Sequence, residues 1–472
     1  MGALMIPERL RWLTAPDSLT LALADLFDRA GHGLYLVGGS VRDAFLDRLH
    51  EDLDFTTDAH PEAIRKIIGK WATSVYTVGE AFGTIELRKG DLHAQITTFR
   101  REVYRSDSRK PRVEFSDRIE EDLSRRDFTV NAMAMRLPDL ELIDPFDGRV
   151  DLAASLLKTP LDPEISFSDD PLRMLRMYRF HATLDFAIDP ETEAAASRMA
   201  DRLGIISQER IRDELSRLLL AEAPGSALFG LVRSGLAAQF LPELPGLAME
   251  QDPHHQHKDV LAHTIAVVEQ TAPNLELRLA ALLHDIGKPA TRAFGPDGVS
   301  FHHHEVVGAR MARERLRELR YPKSVVDEVA GLVSLHLRPH TLKMGWTDSA
   351  VRRYVRDAGP LLGHLNELVR CDITTANPRK AETIRRRLDE LEIRIVELGE
   401  REEIGNLRPP IDGHQVMTYL SMPPGRAVGE VLEILYERRI EDGPYSVAEA
   451  YRMVREWALA DGRPDPGPSP EP

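Results

Sequence analysis

Apolar positions along the first 150 residues change period repeatedly, and the changes mark elements. Ser18 to Ala30 repeats apolar residues at helical spacing and closes on Gly31; Pro61 to Trp71 does the same, with proline in the first turn. Strand-like runs occupy Leu34 to Val37, Leu53 to Thr57, Ser74 to Val78, Gly83 to Arg88 and Leu92 to Phe99, with Gly79, Gly83 and Gly90 between them. A small mixed sheet carrying helices is therefore expected over residues 15–150. Beyond Leu152 the strand patterns stop. The remainder is helical in period, broken by Pro and Gly, as far as a tail, GRPDPGPSPEP, too proline-rich and too poor in apolar residues to pack. There is no internal repeat. The expected fold class is α+β: a mixed-sheet head over 15–150, then a long all-helical body with segments at 151–250, 251–375 and 376–460 and a disordered tail at 461–472.

Bulk properties narrow the chemistry. A chain of 472 residues has room for roughly three domains. It has no run of about 18 apolar residues, and its N-terminus lacks a basic, apolar, small-residue leader, so cytoplasmic residence without a membrane partner is the expectation. The single cysteine, Cys371, excludes an intrachain disulfide and a Cys-based zinc cluster. Metal chemistry must use histidine and carboxylates. A net charge of −15 argues mildly against a nucleic-acid partner, but Arg and Lys cluster at 100–112, at Arg125 and Arg126, at 173–179, at Arg352, Arg353 and Arg356, and at 379–387. Two or three of these clusters are expected to touch RNA.

Candidate chemistry begins at LYLVGGSVRDAFLDRLHEDLDFTTD, residues 34–58. A strand ends in Gly38, Gly39 and Ser40 and a helix follows at once. Backbone N–H groups and a helix N-terminus at such a turn favour phosphate. Asp52 and Asp54, two apart at the head of the next strand, share one face. Paired carboxylates of this kind need a cation, and oxygen-only ligands suit Mg²⁺. Further on, Asp170 and Arg173 lie one helical turn apart in DDPLRMLRMYRF, and Arg176 and Arg179 continue that face. An Asp and Arg pair can accept from the exocyclic amine and donate to the ring nitrogen of cytosine or adenine. Guanine and uracil offer the opposite polarity, at a cost on the order of 1–3 kcal/mol per stranded group. The basic segment 100–116 has no clear period and reads as a long loop, functional or disordered.

GGSVRD followed by DLDF resembles the catalytic opening of the DNA polymerase beta-like nucleotidyltransferases, in the form used by the bacterial tRNA nucleotidyltransferase and poly(A) polymerase family. That resemblance implies a Mg²⁺-dependent nucleotidyltransferase head, with Asp52 and Asp54 as catalytic metal ligands and Gly38, Gly39, Ser40 and Arg42 at the triphosphate. The string RRDFTVNA adds Arg125, Arg126, Asp127 and Asn131 for triphosphate and sugar, and DDPLR is similar to the family's protein template for C and A. The family's loop at 100–116 is implicated in handling the growing 3′ end. One position departs: where the family commonly places a third acid, HAQITTFR has Gln95, and Glu86 is the candidate substitute. QERIRDELSRLLL, residues 208–220, resembles the next helix of the family and receives no chemistry.

A second set, His263, His284, Asp285, His304, His336 and Asp372, surrounds AALLHDIGKPAT and resembles the HD phosphohydrolase domain. Such ligands suit one or two divalent ions, with imidazole favouring Zn, Fe or Ni and carboxylate favouring Mn or Mg. The resemblance implies hydrolysis of phosphate monoesters or 2′,3′-cyclic phosphates. Residues from Ile411 resemble the family's C-terminal tRNA-gripping helices. Implied partners are a tRNA 3′ end, ATP and CTP, not DNA. The leading expectation is untemplated building of the 3′ CCA end. A CC-adding enzyme, an A-adding enzyme and a poly(A) polymerase share the motifs, and a phosphohydrolase with an RNA-binding head is the alternative of another class.

Overall fold

The computed structural model describes residues 7–48, 52–103, 112–249, 259–295, 298–341, 346–374, 377–402 and 407–470. The chain divides into two compact units, residues 1–242 and 243–472.

The first unit is built on a seven-stranded sheet in the order β3-β4-β5-β2-β1-β8-β9. Its strands are β1 (Leu34–Val37), β2 (Asp52–Thr57), β3 (Ser74–Tyr76), β4 (Thr84–Lys89), β5 (Leu92–Thr98), β8 (Ala134–Leu137) and β9 (Glu141–Ile143), while β6 (Arg100–Val103) and β7 (Arg112–Phe115) form a separate antiparallel ribbon. Only β2 and β5 run parallel, with Asp54 opposite Gln95. Alternation gives the sheet two unlike faces. Leu36, Phe55, Ile85, Leu87, Ala94 and Ile96 are buried on one. Asp54, Gln95, Thr97 and Glu86 occupy the other, where the chemistry sits.

Helices α1 (Leu19–Arg29), α2 (Gly39–Phe45), α3 (Pro61–Ile68) and α4 (Ile119–Ser124) belong to the head; α5 (Pro163–Asp169), α6 (Leu172–Leu184) and α7 (Gln208–Leu219) follow it. The mixed-sheet head and helical body agree with the expected class. Strands beyond those expected include β8 and β9, entered through a 3₁₀ turn, Thr129–Asn131, and a two-residue parallel bridge, Leu156–Leu157 with Ala187–Ile188, past Leu152. Bridges this short carry no periodic signal. Of the basic segment at 100–116, the ends are ribbon strands and residues 104–111 lie outside the described residues.

The second unit is helical apart from a small hairpin, Ala293–Gly295 with Gly298–Ser300. Its main helices are α8 (Val260–Gln270), α9 (Leu275–Leu283), α10 (His304–Glu318), α11 (Lys323–Leu335), α12 (Asp348–Ala358), α13 (Leu362–Cys371), α14 (Pro378–Arg401), α15 (Gly413–Tyr419), α16 (Arg426–Asp442) and α17 (Val447–Ala460). The last three close on Val416, Val431, Leu435, Ala450 and Val454. The tail, expected to be unpacked, is docked: Asp465 pairs with Arg455 at 2.5 Å and the Tyr419 hydroxyl donates to the Gly467 carbonyl at 2.7 Å. Composition does not reveal partners that lie elsewhere in the chain. No described helix is long and apolar enough to cross a membrane.

Candidate functional site

The turn at the end of β1 requires its glycine. Gly38 has φ +65°, and a Cβ there would meet the Arg126 guanidinium at 2.6 Å. Ser40, at the start of α2, accepts a hydrogen bond from the Asp54 backbone N–H at 3.2 Å, which ties the turn to the carboxylate strand. Asp54 is exposed on the polar face of β2; the backbone of Asp52 lies in the same strand, and its side chain is outside the described residues.

Asp54 opens onto a cavity of about 320 Å³ lined also by Thr97, Arg100, Asp122, Arg125, Arg126, Asp127, Asp170, Arg173, Arg176 and Arg210. That volume falls within the usual range of small-molecule sites, roughly 300–1,000 Å³. Four carboxylates and six guanidiniums around it suit a polyanion that also carries a cation.

The expected site residues divide into two groups. Asp54, Arg125, Arg126, Asp127, Asp170, Arg173 and Arg176 come together on the cavity. Gly38, Gly39, Ser40, Arg42, Asn131 and Arg179 are not among its lining residues. Arg42 is buried, with Nε and Nη2 on Asp43 at 2.8 and 2.9 Å and Nη1 on Asn131 at 2.6 Å. Asn131 donates in turn to Asp127, and Arg176 holds the other oxygen of Asp127 through Nε and Nη2 at 2.9 and 2.5 Å. Burial alone would raise the Asp127 pKa; Arg176 and the bond from Asn131 outweigh it and hold the carboxyl well below the usual range. Arg179 stacks on Phe180, its guanidinium 3.9 Å from the ring centroid, and pairs with Glu214 at 2.6 Å.

Base-reading candidates are held by partners other than each other. Arg173 donates through Nη1 to the Ser166 hydroxyl at 2.8 Å and through Nη2 to the Arg125 carbonyl. Asp170 accepts from the Leu172 N–H at 3.1 Å on one oxygen and from Arg210 Nη2 at 2.7 Å on the other.

Three contributors were not singled out by the sequence. Asp122, nearly fully buried, anchors Arg125 and Arg126; Arg210 and Glu214 both come from α7. Glu214 was findable, since it falls on the buried face of α7 with Ile211, Leu215 and Leu218, where a lone carboxylate needs a cation. Glu86 proves a poor substitute for the acid missing at Gln95. It sits two strands from Asp54, about 10 Å across the sheet, and is paired with His93 Nε2 at 2.7 Å.

In the second unit, His263 on α8, His284 and Asp285 after α9, His304 at the start of α10, His336 after α11 and Asp372 after α13 converge. Asp285 joins two groups, His263–His284–Asp285 and Asp285–His304–His336, whose ligand atoms lie within 4.8 Å of one another in each. Asp372 reaches His263 Nε2 at 3.0 Å. Of the three consecutive histidines only His304 is buried and turned inward; His303 is exposed. Gly287 permits the approach, since a Cβ there would meet the His304 carbonyl at 2.2 Å.

Three rings donate Nδ1–H to backbone carbonyls, His284 to Ala281, His304 to Phe301 and His336 to Val333, at 2.7–2.8 Å. A carbonyl only accepts, so each Nε2 lone pair faces the cluster. Nitrogen and carboxylate donors in this arrangement fit divalent transition ions. Burial lowers the His336 pKa to about 3, helped by His284. Burial opposes protonation of His263 too, but hydrogen bonds to Asp285 and Asp372 raise its pKa to about 9.

The basic cluster on α12 is consumed internally: Arg352 pairs with Glu402 at 2.7 Å, Arg353 with Glu437 at 2.8 Å and Arg356 with Asp357 at 2.9 Å.

A carboxylate strand after a glycine turn, an arginine-lined cavity and a helical body define a nucleotidyltransferase of the poly A polymerase type. Residues 34–158 match the poly A polymerase head domain, 185–247 the probable RNA and SrmB-binding site of polymerase A, and 260–377 the HD domain. The chain belongs to the tRNA nucleotidyltransferase family that includes CCA-, CC- and A-adding enzymes. It is 34% identical to the A-adding tRNA nucleotidyltransferase of Deinococcus radiodurans over 90% of this chain and 96% of the relative. Identity to the CC-adding enzyme of Thermus thermophilus is 32%, over 91% and 96%. The fold is similar to the Bacillus stearothermophilus CCA-adding enzyme in complex with CTP, at TM-score 0.65 and 27% identity, covering 94% of this chain and 98% of that one.

Proposed function

We propose that this protein adds or repairs the 3′ CCA end of tRNA from CTP and ATP without a nucleic-acid template. One observation carries the reading: a single cavity joins the Asp54 carboxylate to the Asp170, Arg173 and Arg210 set. Arg125, Arg126 and Arg176 grip the phosphates in this reading. Asp170 accepts from the exocyclic amine of the base, and Arg173 donates to its ring nitrogen. Asp54 and Asp52 would hold Mg²⁺, whose bound charge would supply activation of the 3′ hydroxyl and stabilisation of charge on the α-phosphate. Arg42, Asn131 and Asp127 brace the wall that carries these groups.

The test offers Mg²⁺, labelled CTP or ATP, and tRNA transcripts ending before CCA, after C or after CC, with products resolved to one nucleotide. Stepwise addition that stops after A is the expected result. Addition of C alone, A alone or long A tails would assign a CC-adding enzyme, an A-adding enzyme or a poly(A) polymerase respectively.

Arg210 bears on selection. Arg210→Ala frees one oxygen of Asp170, and loss of one charge-assisted bond, about 1.5 kcal/mol, lowers discrimination of CTP over UTP by roughly tenfold. Competitive incorporation measures this directly, and unchanged discrimination removes Arg210 from the selection set.

A second activity has its own support in the Asp285-bridged histidine cluster. We infer two divalent ions there, held by His263, His284, Asp285 and Asp372 on one side and by Asp285, His304 and His336 on the other. Such ions would supply activated water for phosphate ester hydrolysis. Cyclic phosphate ends left intact with added Mn²⁺, Ni²⁺ or Zn²⁺ would exclude it.

A further inference from the structure

Each histidine of the cluster needs an anchor for the nitrogen that faces away from the ions. His284, His304 and His336 find theirs three residues back in their own segments, at the Ala281, Phe301 and Val333 carbonyls. Each sits at a helix end, where carbonyls lie within reach of a ring. Their orientation is therefore set locally.

His263 is different. It lies inside α8, where carbonyls one turn back are engaged in the helix, and its Nδ1 instead meets the Thr374 hydroxyl at 2.6 Å, 111 residues along the chain. Thr374 is bound to the segment that supplies another ligand: its N–H donates to the Asp372 carbonyl at 2.9 Å, and Ile373 between them is buried. The Asp372 carboxylate returns to His263 Nε2 at 3.0 Å. His263 and Asp372 thus form one closed unit, with Thr374 as its outer link.

We propose that Thr374 is a positioning residue that assembles one half of the two-ion centre. The proposal rests on the two-ion reading above. With the His263 lone pair at Nε2, Nδ1 carries hydrogen and donates to Thr374 Oγ1. Without that acceptor the outer nitrogen of the ring loses its anchor away from the ions, and the His263–Asp372 side is held less well in its geometry. The Asp285–His304–His336 side keeps its carbonyl anchors and is unaffected. Outer partners of this kind alter metal affinity by about 10–100-fold.

The test uses the full chain dialysed against buffered Zn²⁺ in millimolar Mg²⁺, which covers the oxygen-only site of the head, with bound zinc counted by elemental analysis. The expected wild-type result is two zinc ions. Thr374→Val and Thr374→Ala should each retain one ion at wild-type affinity and bind the other at least tenfold more weakly. Thr374→Ser, which keeps the hydroxyl, should restore both. His304→Ala should weaken the opposite ion, and combining it with Thr374→Ala should leave no tight zinc. If the valine and alanine variants bind both ions normally, or lose both equally, Thr374 has no half-site role and the two-ion reading stands. A wild-type protein that binds fewer than two ions overturns the two-ion reading and this proposal with it.

Discussion

Asp54→Ala lowers nucleotide incorporation by about 10³-fold or more, the equivalent of roughly 4 kcal/mol in the barrier, and leaves nucleotide binding largely intact. The structure separates the two effects. Asp54 is exposed on the polar face of β2, so truncation opens no core cavity. The bond from Ser40 is to the Asp54 backbone N–H and survives the change. Arg125, Arg126 and Arg176, the proposed phosphate grip, remain on the cavity wall. Single-turnover incorporation into tRNA lacking its CCA end measures the loss, and equilibrium binding of CTP under the same conditions checks the remainder. Gln95, facing Asp54 on β5, brings no charge, and Glu86 is paired with His93, so neither compensates for the lost carboxylate. Near-normal turnover by Asp54→Ala would mean that the catalytic cation is held by other groups, with Asp52, Asp122, Asp127 and Asp170 the carboxylates left to test.

Asp127→Ala carries the largest expected stability cost, about 3–5 kcal/mol, the range for removing one partner of a buried ion pair. Four donors converge on this carboxylate: the Phe128 N–H, the Asn131 amide and two nitrogens of Arg176. Its loss leaves Arg176 with Glu214 at 3.4 Å and releases Asn131, which also holds Arg42. Urea unfolding at pH 7 measures the loss, and a shift within a few tenths of a kcal/mol would refute the brace. The pH dependence has a defined sign. Because the folded pKa of Asp127 is depressed, its contribution is complete above the unfolded value, about 3.9, and is lost as pH falls from there towards the folded value. Wild-type stability therefore declines below about pH 4 through this group, and Asp127→Ala lacks that part of the decline.

Arg42 and Arg210 show where sequence reading reaches its boundary. Arg42 stands in GGSVRD, beside a phosphate-binding turn, and was expected at the triphosphate; folding places it in a buried link between Asp43 and Asn131. Arg210 stood in a helix assigned no chemistry, and folding brings it to Asp170 at 2.7 Å. A guanidinium on a helix face reads the same whether its partner is a ligand, a carboxylate 40 residues away or water. Likewise Arg352, Arg353 and Arg356 read only as one of five basic clusters, and folding sets Glu402 and Glu437 opposite them.

The sequence by itself determined what depends on short-range order. The strand, Gly38–Gly39 turn, helix and Asp-x-Asp strand follow from local period and backbone freedom, whereas His304 was picked out by resemblance to the HD domain. The same local logic places His284 beside Asp285. Tertiary structure alone decided which charges are braces and which face the cavity, that Glu86 is out of reach of Asp54, that Glu214 ties Arg176 to Arg179, and that Thr374 anchors His263 across 111 residues. The reason is physical: helical and strand periodicity are encoded between neighbours, whereas the partner of a charged or hydrogen-bonding group is set by chain segments that meet only after folding.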